Sequence, residues 1–312
     1  MSRHRLGLIG LGKIAHDQHL PAIRANPAFD LVAVASQRGM VVEGVPHAFK
    51  GWQEMLERVP DLDAVAIATP PQPRHEIARV ALDFGKHVLL EKPPAATLSE
   101  LADLERIGAR VAKTVFTTWH SQYNRAVAEA ASALAGTWVR RLVVTWKEDV
   151  REWHPGQAWI WEAGAFGVFD TGINALSILT RIMPDPLFIR SAELAFPANK
   201  DTPISAALRF GTGRHDEDLG AEFEWRHNGR PTWDMDIETA DGRRLQLLKG
   251  GSRLEIDGKL VADEAPAEYH AIYRRFDELL RHRRSEVHTE PFRLVGDAFM
   301  IGRRTIVEPF AD

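Results

Sequence analysis

Three things are missing from this 312-residue chain, and each absence excludes a class of protein. Without cysteine it has no disulfides, thiol catalysis or cysteine-ligated zinc. Its 39 Lys and Arg against 43 Asp and Glu give a net charge of −4, so no basic surface indicates nucleic acid as a partner. No apolar run approaches the ~20 residues of a membrane span, and no signal-peptide pattern is visible. We therefore expect a cytoplasmic protein of about two domains.

A glycine-rich turn follows the first apolar segment. Residues Arg5–Ile9 predict a short buried strand, and Gly10–Ala15 then has the pattern G-x-G-x-x-A ahead of a helical stretch. The first glycine allows a tight turn, the second lets the backbone approach a pyrophosphate, and the small Ala15 lets helix and strand pack closely. We predict a dinucleotide site, although a plain glycine turn is the alternative. The expected contacts from this turn are Gly10, Gly12, Lys13 and Ile14.

Strands and helices alternate up to about residue 118. Apolar runs typical of strands buried on both faces are Leu31–Ala35, Ala64–Ala68, His87–Leu90 and Val111–Thr118. Helical patterns between them are Trp52–Arg58, Arg74–Phe84 and Ser99–Ala109. This rhythm predicts an α/β fold, with a doubly wound parallel sheet of the Rossmann type that binds NAD(P) over residues 1–120.

From residue 121 to 312 the pattern changes to that of a substrate-binding α+β domain. Predicted helices are Ala126–Ala135, Phe169–Met183, Glu268–Arg281 and Pro291–Arg304. Strand-like segments are Arg141–Lys147, Phe188–Phe196, Ile204–Phe210, Leu219–Arg226, Thr232–Thr239, Arg243–Leu248 and Ser252–Ile256, with a loop at Glu148–Ala163. They predict a large, mostly antiparallel open sheet. Because its uncovered face needs a partner, we expect a homodimer or homotetramer formed through this sheet. The last helix, about 291–304, is a candidate to pack back on the first domain.

The end of the second predicted strand bears on which dinucleotide binds. Many NAD-binding folds place there an acidic residue that bonds the ribose hydroxyls. This strand ends in Ala35-Ser36-Gln37-Arg38, while Asp30 precedes it and lies at the wrong edge. Ser36 and Arg38 can instead hold a 2′-phosphate, because guanidinium–phosphate pairing is strong and directional. We expect NADP, or both NADP and NAD; the alternative is that Arg38 is a solvated loop charge.

Two further strand ends carry candidate residues. Thr69 and Pro70 follow the third strand, where a cofactor would cross the sheet edge. Glu91-Lys92-Pro93 follows the fourth, at the carboxyl edge where such sheets bind ligands. A desolvated lysine there can polarise or deprotonate a hydroxyl, and the proline allows a cis bond before it. The alternative for Lys92 is a surface lysine in a turn.

In the second domain, Asp170 and Asn174 follow a glycine-rich turn. Their i, i+4 spacing puts both on one side of a helix near its N-terminus, where a carboxylate is favoured and Asn can both donate and accept. Asp170 as a plain helix cap is the alternative. Taken alone, Glu148 is more typical of a solvated residue and His154 of a structural one. Eight of the nine tryptophans fall within residues 119–233, as core residues or as rings lining a sugar pocket.

Together these segments resemble the Gfo/Idh/MocA oxidoreductase family. The general marks are the glycine turn, Glu91-Lys92-Pro93, and Asp170 with a polar residue one turn on, which is usually histidine and is Asn174 here. Longer runs resemble the bacterial D-galactose/L-arabinose 1-dehydrogenase group, which has Asn at this position. These runs are Ile14–Ile23, Thr118–Ser121, Trp146–Arg151, Trp153–Gln157, Trp159–Glu162, Phe169–Ile178 and Asp297–Arg304. Thr171 stands where that group tends to have proline, with little expected effect on chemistry.

The resemblance implies oxidation of an aldose at C1 to the aldonolactone, by hydride transfer to nicotinamide. For this reaction we expect Asp170 to be the base, Asn174 to orient the C1 oxygen and Lys92 to be an electrostatic helper; Lys92 as the base is the alternative, and it is the one that the family resemblance favours. Implied sugar contacts are His120, Glu148 and His154 with hydroxyls, and Trp153 and Trp233 with the apolar face. Expected cofactor contacts also include Ser36, Gln37, Arg38, Thr69, Pro70, His75, Glu91 and Lys92. No metal is expected.

The expected substrates are D-galactose and L-arabinose, with D-fucose as a further candidate. Two other functions stay open. One is a dehydrogenase for another sugar or an inositol. The other is a cofactor-bound sugar sensor without turnover, which would be expected to have lost Lys92 or Asp170, whereas this chain keeps both.

Overall fold

The computed structural model describes residues 3–265 and 267–311 and divides the chain into two compact units. The first consists of Met1–His120 and Ala267–Thr289, and the second of Ser121–Pro266 and Glu290–Asp312. The first break lies between His120 and Ser121. The second unit is not continuous, however, because residues 267–289 return to the first.

The first unit is built on a six-stranded parallel sheet in the order β3-β2-β1-β4-β5-β6. The strands are β1 His4–Ile9, β2 Phe29–Ala35, β3 His47–Phe49, β4 Ala64–Ile67, β5 His87–Leu90 and β6 Val115–Thr117. The helices are α1 Leu20–Ala25, α2 Trp52–Arg58, α3 Pro71–Asp83 and α4 Leu98–Arg110, and a π-helical turn, Ala15–His19, precedes α1. The strand order reverses between β1 and β4, which is where doubly wound sheets bind ligands.

The second unit is built on a nine-stranded sheet in the order β14-β13-β12-β11-β7-β10-β9-β8-β15. Its strands are β7 Val139–Lys147, β8 Phe188–Pro197, β9 Ser205–Gly211, β10 Asp218–Glu224, β11 Thr232–Thr239, β12 Arg244–Leu248, β13 Arg253–Ile256, β14 Lys259–Asp263 and β15 Arg303–Val307. Two pairs, β7–β10 and β8–β15, are parallel and the others are antiparallel. The helices α5 Arg125–Leu134 and α7 Phe169–Ile182 pack on this sheet, and a short helix, α6 Val150–Trp153, lies in the predicted loop.

The last two helices belong to different units. Helix α8, Glu268–His282, packs in the first, where Phe276 stacks on Phe29 at 5.8 Å and on Phe116 at 5.9 Å between ring centroids. These aromatic contacts explain why the chain returns there. Helix α9, Glu290–Ile301, packs on α7 and β8 in the second unit. This helix thus belongs to the second unit, and its predicted end at Arg304 is too late because Arg303 begins β15.

Three strands were not predicted. β3 has only three residues, β14 is largely exposed, and the exposed edge strand β15 begins with two arginines. None of these shows the apolar alternation by which a strand is recognised. Among the described residues, no helix is long and apolar enough to cross a membrane.

The two glycines of the turn after β1 differ in whether the fold requires a glycine at that position. Gly10 has φ +93°, and a Cβ there would lie 2.8 Å from the backbone carbon of Ala68. Gly12 has ordinary φ, and a Cβ would meet no protein atom within 4 Å. Packing therefore requires glycine at position 10 and does not require it at position 12.

We predict that Gly10→Ala lowers the free energy of unfolding by about 2–4 kcal/mol, because strain at positive φ adds to the clash with the β4 end. Gly12→Ala is the matched control and should change it by less than about 0.5 kcal/mol. Urea unfolding followed by tryptophan fluorescence measures both. Equal stability of the two variants would contradict the close approach of the β1 turn to β4.

Candidate active site

The predicted cofactor residues lie almost all at one edge of the first sheet. They occupy the loops that follow β1, β2, β4 and β5, which in a parallel sheet meet at the carboxyl edge. These residues are Gly10, Gly12, Lys13, Ile14, Ser36, Gln37, Arg38, Thr69, Pro70, Glu91 and Lys92. His75 differs, because it lies inside α3 and its Nε2 is 2.9 Å from the Asp103 carboxylate of α4.

This edge fits a dinucleotide in two respects. The open space beside Gly12 leaves the backbone accessible to a phosphate group. The Thr69 hydroxyl is buried and has no hydrogen-bond partner among the described residues, which is costly unless a ligand or water completes it. Lys13 instead pairs with Asp17 on the adjacent turn.

The Glu91 carboxylate is the centre of a buried hydrogen-bond network. The Tyr269 hydroxyl donates to its Oε1 at 2.7 Å, and His19 Nε2 lies 3.0 Å from the same oxygen. Its Oε2 accepts the backbone N–H of Lys92 at 2.9 Å. The three described contacts are all with groups of the first unit. These contacts fix the backbone of Lys92, and the expected cofactor contact of Glu91 stays a prediction.

The charge of Glu91 is strongly favoured despite burial. Burial raises the pKa of this carboxyl, but the hydrogen bond from His19 and the charges of His19 and His120 outweigh it and lower the pKa to about 2. Burial and the Glu91 charge raise the pKa values of Tyr269 and Tyr273 well above 10. Both tyrosines therefore stay protonated, and the Tyr273 hydroxyl lies 2.7 Å from His19 Nδ1.

Arg74 is a buried residue that the sequence did not single out. Its guanidinium donates to the backbone carbonyls of Thr69, Glu91 and Pro93. It thus joins the loops after β4 and β5, beside the cis Lys92–Pro93 bond. A helical arginine looks like a surface charge in a sequence, so nothing local could have identified it.

His120 lies close to the same network. Its Nδ1 is 3.3 Å from a carboxylate oxygen of Glu268, and its ring stacks on Tyr269 with centroids 5.8 Å apart. Burial lowers the pKa of His120, but the charges of Glu268 and Glu91 outweigh it and raise the pKa above its usual value, against the opposing charge of Lys92. The first unit thus holds Lys92 and His120 in one charged cluster.

In the second unit, the predicted residues Glu148, His154 and Asp170 form a row, and Asn174 follows Asp170 on the same helix. Asp170 is buried in the first turn of α7, and Asn174 is half-buried one turn later. Glu148, buried directly after β7, accepts the indole N–H of Trp233 at 2.8 Å. The ring of His154 lies between the two carboxylates, with Nε2 3.6 Å from Glu148 Oε1 and Nδ1 4.0 Å from Asp170 Oδ2.

Two atoms of this row lack hydrogen-bond partners. Glu148 Oε1 and His154 Nδ1 are both buried, and neither has a partner among the described residues. Buried polar atoms without a hydrogen-bond partner are rare in native protein structures. These two atoms are therefore the best candidates in the second unit to receive hydroxyl groups of a ligand.

The tryptophans divide between core and surface. Trp225 is fully buried, and its indole N–H donates to the Thr171 hydroxyl at 3.0 Å. Thr171 thus has a structural role that a proline could not fill. Trp153 is 43% exposed and contacts Trp233 edge-on at 5.0 Å, so these two rings present an accessible aromatic surface. No group of three His, Asp or Glu within residues 3–265 and 267–311 could hold a metal ion.

We predict that Glu91→Gln weakens the dependence of the free energy of unfolding on pH in the acidic range. A carboxyl whose pKa is lowered by folding from 4.5 to about 2 stabilises the fold above pH 4.5, by on the order of 3 kcal/mol, and loses that contribution as the pH falls toward 2. The variant should therefore have a lower Tm than the unmodified protein at pH 7. The difference in Tm between the two proteins should be smaller at pH 3. Glu54→Gln, at an exposed ion pair with Arg58, is the control. If the difference in Tm between the variant and the unmodified protein is the same at pH 7 and pH 3, Glu91 is excluded as the titrating group.

Comparison with known proteins gives a consistent result. Residues 4–118 match the oxidoreductase family with an NAD-binding Rossmann fold. Galactose 1-dehydrogenase of Pseudomonas fluorescens is 47% identical over 313 residues, which cover 99% of each chain. The crystal structure of a D-galactose-1-dehydrogenase protein from Rhizobium etli is 49% identical, with a TM-score of 0.94 over 100% of this chain and 99% of that one.

A more distant structure shares the fold. A 3-ketoreductase from Actinomadura kijaniata, in complex with NADP and TDP-benzene, has a TM-score of 0.85 at 19% identity, covering 98% of this chain and 100% of that one. The full-length identity to the Pseudomonas protein, together with the match over the first unit, establishes the relationship. The chain belongs to the Gfo/Idh/MocA oxidoreductase family.

Proposed function

We propose that this protein is an aldose 1-dehydrogenase that oxidises D-galactose, L-arabinose or both at C1 to the aldonolactone, with D-fucose as a further substrate. The observation that carries the proposal is 47% identity to a galactose 1-dehydrogenase along essentially the whole chain. The buried row of Glu148, His154 and Asp170 beside two tryptophan rings supports it, because a sugar needs several fixed polar partners and an apolar wall.

We propose NADP as the preferred cofactor, or NADP and NAD together. The glycine turn and the Thr69 hydroxyl would hold the pyrophosphate side of the dinucleotide. Ser36 and Arg38, which follow β2 without an acidic residue, would hold a 2′-phosphate. When bound, the nicotinamide ring would accept the hydride from C1 of the sugar.

The protein's own residues handle the proton. Asp170 takes the proton of the C1 hydroxyl, since a carboxylate in the first turn of α7 is an available base. Asn174, one turn later on the same helix, orients that oxygen. Lys92, with its backbone fixed by Glu91, stabilises the negative charge that develops on it. Lys92 as the base is the alternative assignment.

Sugar hydroxyls are read by buried polar groups. Glu148 Oε1 and His154 Nδ1 would receive them, together with His120, and Trp153 and Trp233 would cover the apolar face. D-galactose and L-arabinose share the configuration at C2, C3 and C4 and differ in the C5 substituent. The same partners can therefore serve both, and an epimer is rejected because it leaves one of them unpaired.

Assembly through the second unit stays a proposal. The sheet face turned away from α7 carries ion pairs such as Lys147–Glu222, at 2.7 Å, around a depression of about 250 Å³. We expect a homodimer or homotetramer with a polar interface on this face, and a single 35 kDa species in solution would contradict it. The cytoplasmic location likewise remains a prediction.

A panel of sugars assayed separately with NAD and NADP tests the function. We expect reduced-coenzyme absorbance with D-galactose or L-arabinose, and faster reduction of NADP than of NAD. D-glucose, the C4 epimer of galactose, and an inositol are the controls and should react at least ~100-fold more slowly. Activity only with an inositol would favour the alternative dehydrogenase, and binding without turnover of any sugar would favour the sensor.

Substitution of the proposed acid–base residues should separate them from the binding residues. We predict that Asp170→Ala and Lys92→Ala each lower kcat by ~100-fold or more, because each removes a group that acts on the C1 oxygen. The exposed residues Lys259 and Asp201, changed to Ala, are the matched controls and should keep normal kcat. Near-normal kcat for either test variant would remove that residue from the mechanism.

A further inference from the structure

Two loops of the first unit meet at the carboxyl ends of β2 and β3. The strands run parallel, and their last residues, Ala35 and Phe49, are paired in register. The backbone N–H of Ser36 donates to the carbonyl of Phe49 at 3.0 Å. Ser36 and Lys50 therefore leave the sheet side by side, although fourteen positions separate them in the sequence.

The side chain of Lys50 lies over the loop that carries Arg38. This loop turns back at Gly39, whose N–H donates to the Ser36 carbonyl at 2.7 Å and whose φ is +64°. A Cβ added to Gly39 would lie 3.1 Å from Lys50 Cε and 3.3 Å from its Cγ. The aliphatic stem of Lys50 thus crosses the glycine and brings its ammonium group to the turn that contains Ser36 and Arg38.

Both cations of this turn are exposed and lack an acidic partner within the described ranges. Some other exposed cations of the same unit are paired, for example Arg58 with Glu54 at 2.8 Å. An unpaired arginine and lysine beside a nearly buried serine form a compact positive site with a hydroxyl, and a phosphate monoester with two negative charges is the ligand class that suits it.

We propose that Lys50 is a second cationic contact for the 2′-phosphate of NADP and helps to set the preference for NADP over NAD. The inference rests on the proposed cofactor and adds a residue to it. Arg38 supplies a planar, directional contact, whereas Lys50 supplies a point charge on a flexible stem. Gly39 has a matching role, because any larger residue there would displace that stem.

Direct binding measurements test the role of Lys50 without relying on turnover. Isothermal titration gives Kd values for 2′,5′-ADP and 5′-AMP, which differ only in the 2′-phosphate, and for NADP and NAD. We expect Lys50→Ala to weaken binding of 2′,5′-ADP and NADP by roughly 10- to 100-fold, the range for losing one hydrogen bond to a charged group. Binding of 5′-AMP and NAD should change by less than twofold. Lys50→Arg should bind like the unmodified protein.

Lys259→Ala controls for the loss of one positive charge at a remote, exposed position. Equal Kd values for 2′,5′-ADP in the Lys50→Ala variant and the unmodified protein would overturn the role of Lys50, and so would equal weakening of all four ligands. If the unmodified protein binds 2′,5′-ADP no more tightly than 5′-AMP, the NADP preference itself is wrong. Failure of the Lys50 proposal and failure of the NADP preference are distinguishable, because the comparison of 2′,5′-ADP with 5′-AMP on the unmodified protein needs no variant.

Discussion

A buried negative charge at Glu91 is the constraint on which the first unit depends. An ionised carboxylate in a protein interior is very costly unless its oxygens are fully hydrogen-bonded. Glu91 meets this condition with donors from three parts of the chain: His19 after the glycine turn, Tyr269 on the returning helix, and the backbone of Lys92. Satisfying one charge thus fixes the lysine loop and explains why α8 belongs to this unit.

The second unit shows the opposite condition, and the contrast is informative. There Glu148 has one oxygen satisfied by Trp233 and the other without a partner, and His154 has an unpartnered nitrogen. A fully satisfied network holds a backbone in place and has no capacity left for a ligand. A partly satisfied network is unfavourable until a ligand completes it. This contrast supports the proposal that Glu91 positions its neighbour and that Glu148 and His154 bind the ligand.

Helices, strands and turns that depend on the order of neighbouring residues could be predicted from the sequence. The helix Trp52–Arg58 and the strands His87–Leu90 and Thr232–Thr239 have the predicted bounds, because apolar periodicity is a local property. The β1 turn was recognised for the same reason. Arg74, Tyr269 and Glu268 were not, because their roles arise from contacts across the fold. Tyr269 is 178 positions from Glu91, and Glu268 is 148 positions from His120.

The charges of the two units suit the two needs of the proposed reaction. Loss of a proton from the C1 hydroxyl requires an acceptor, while the negative charge that develops on the oxygen requires a cation. The second unit supplies carboxylates, Asp170 and Glu148, flanking a single imidazole. The first supplies Lys92 and His120, and His120 Nδ1 lies 3.3 Å from a carboxylate oxygen of Glu268. Glu91 accepts the backbone N–H of Lys92 together with hydrogen bonds from His19 and Tyr269, and it thereby fixes the loop from which Lys92 acts on the C1 oxygen in the proposed reaction.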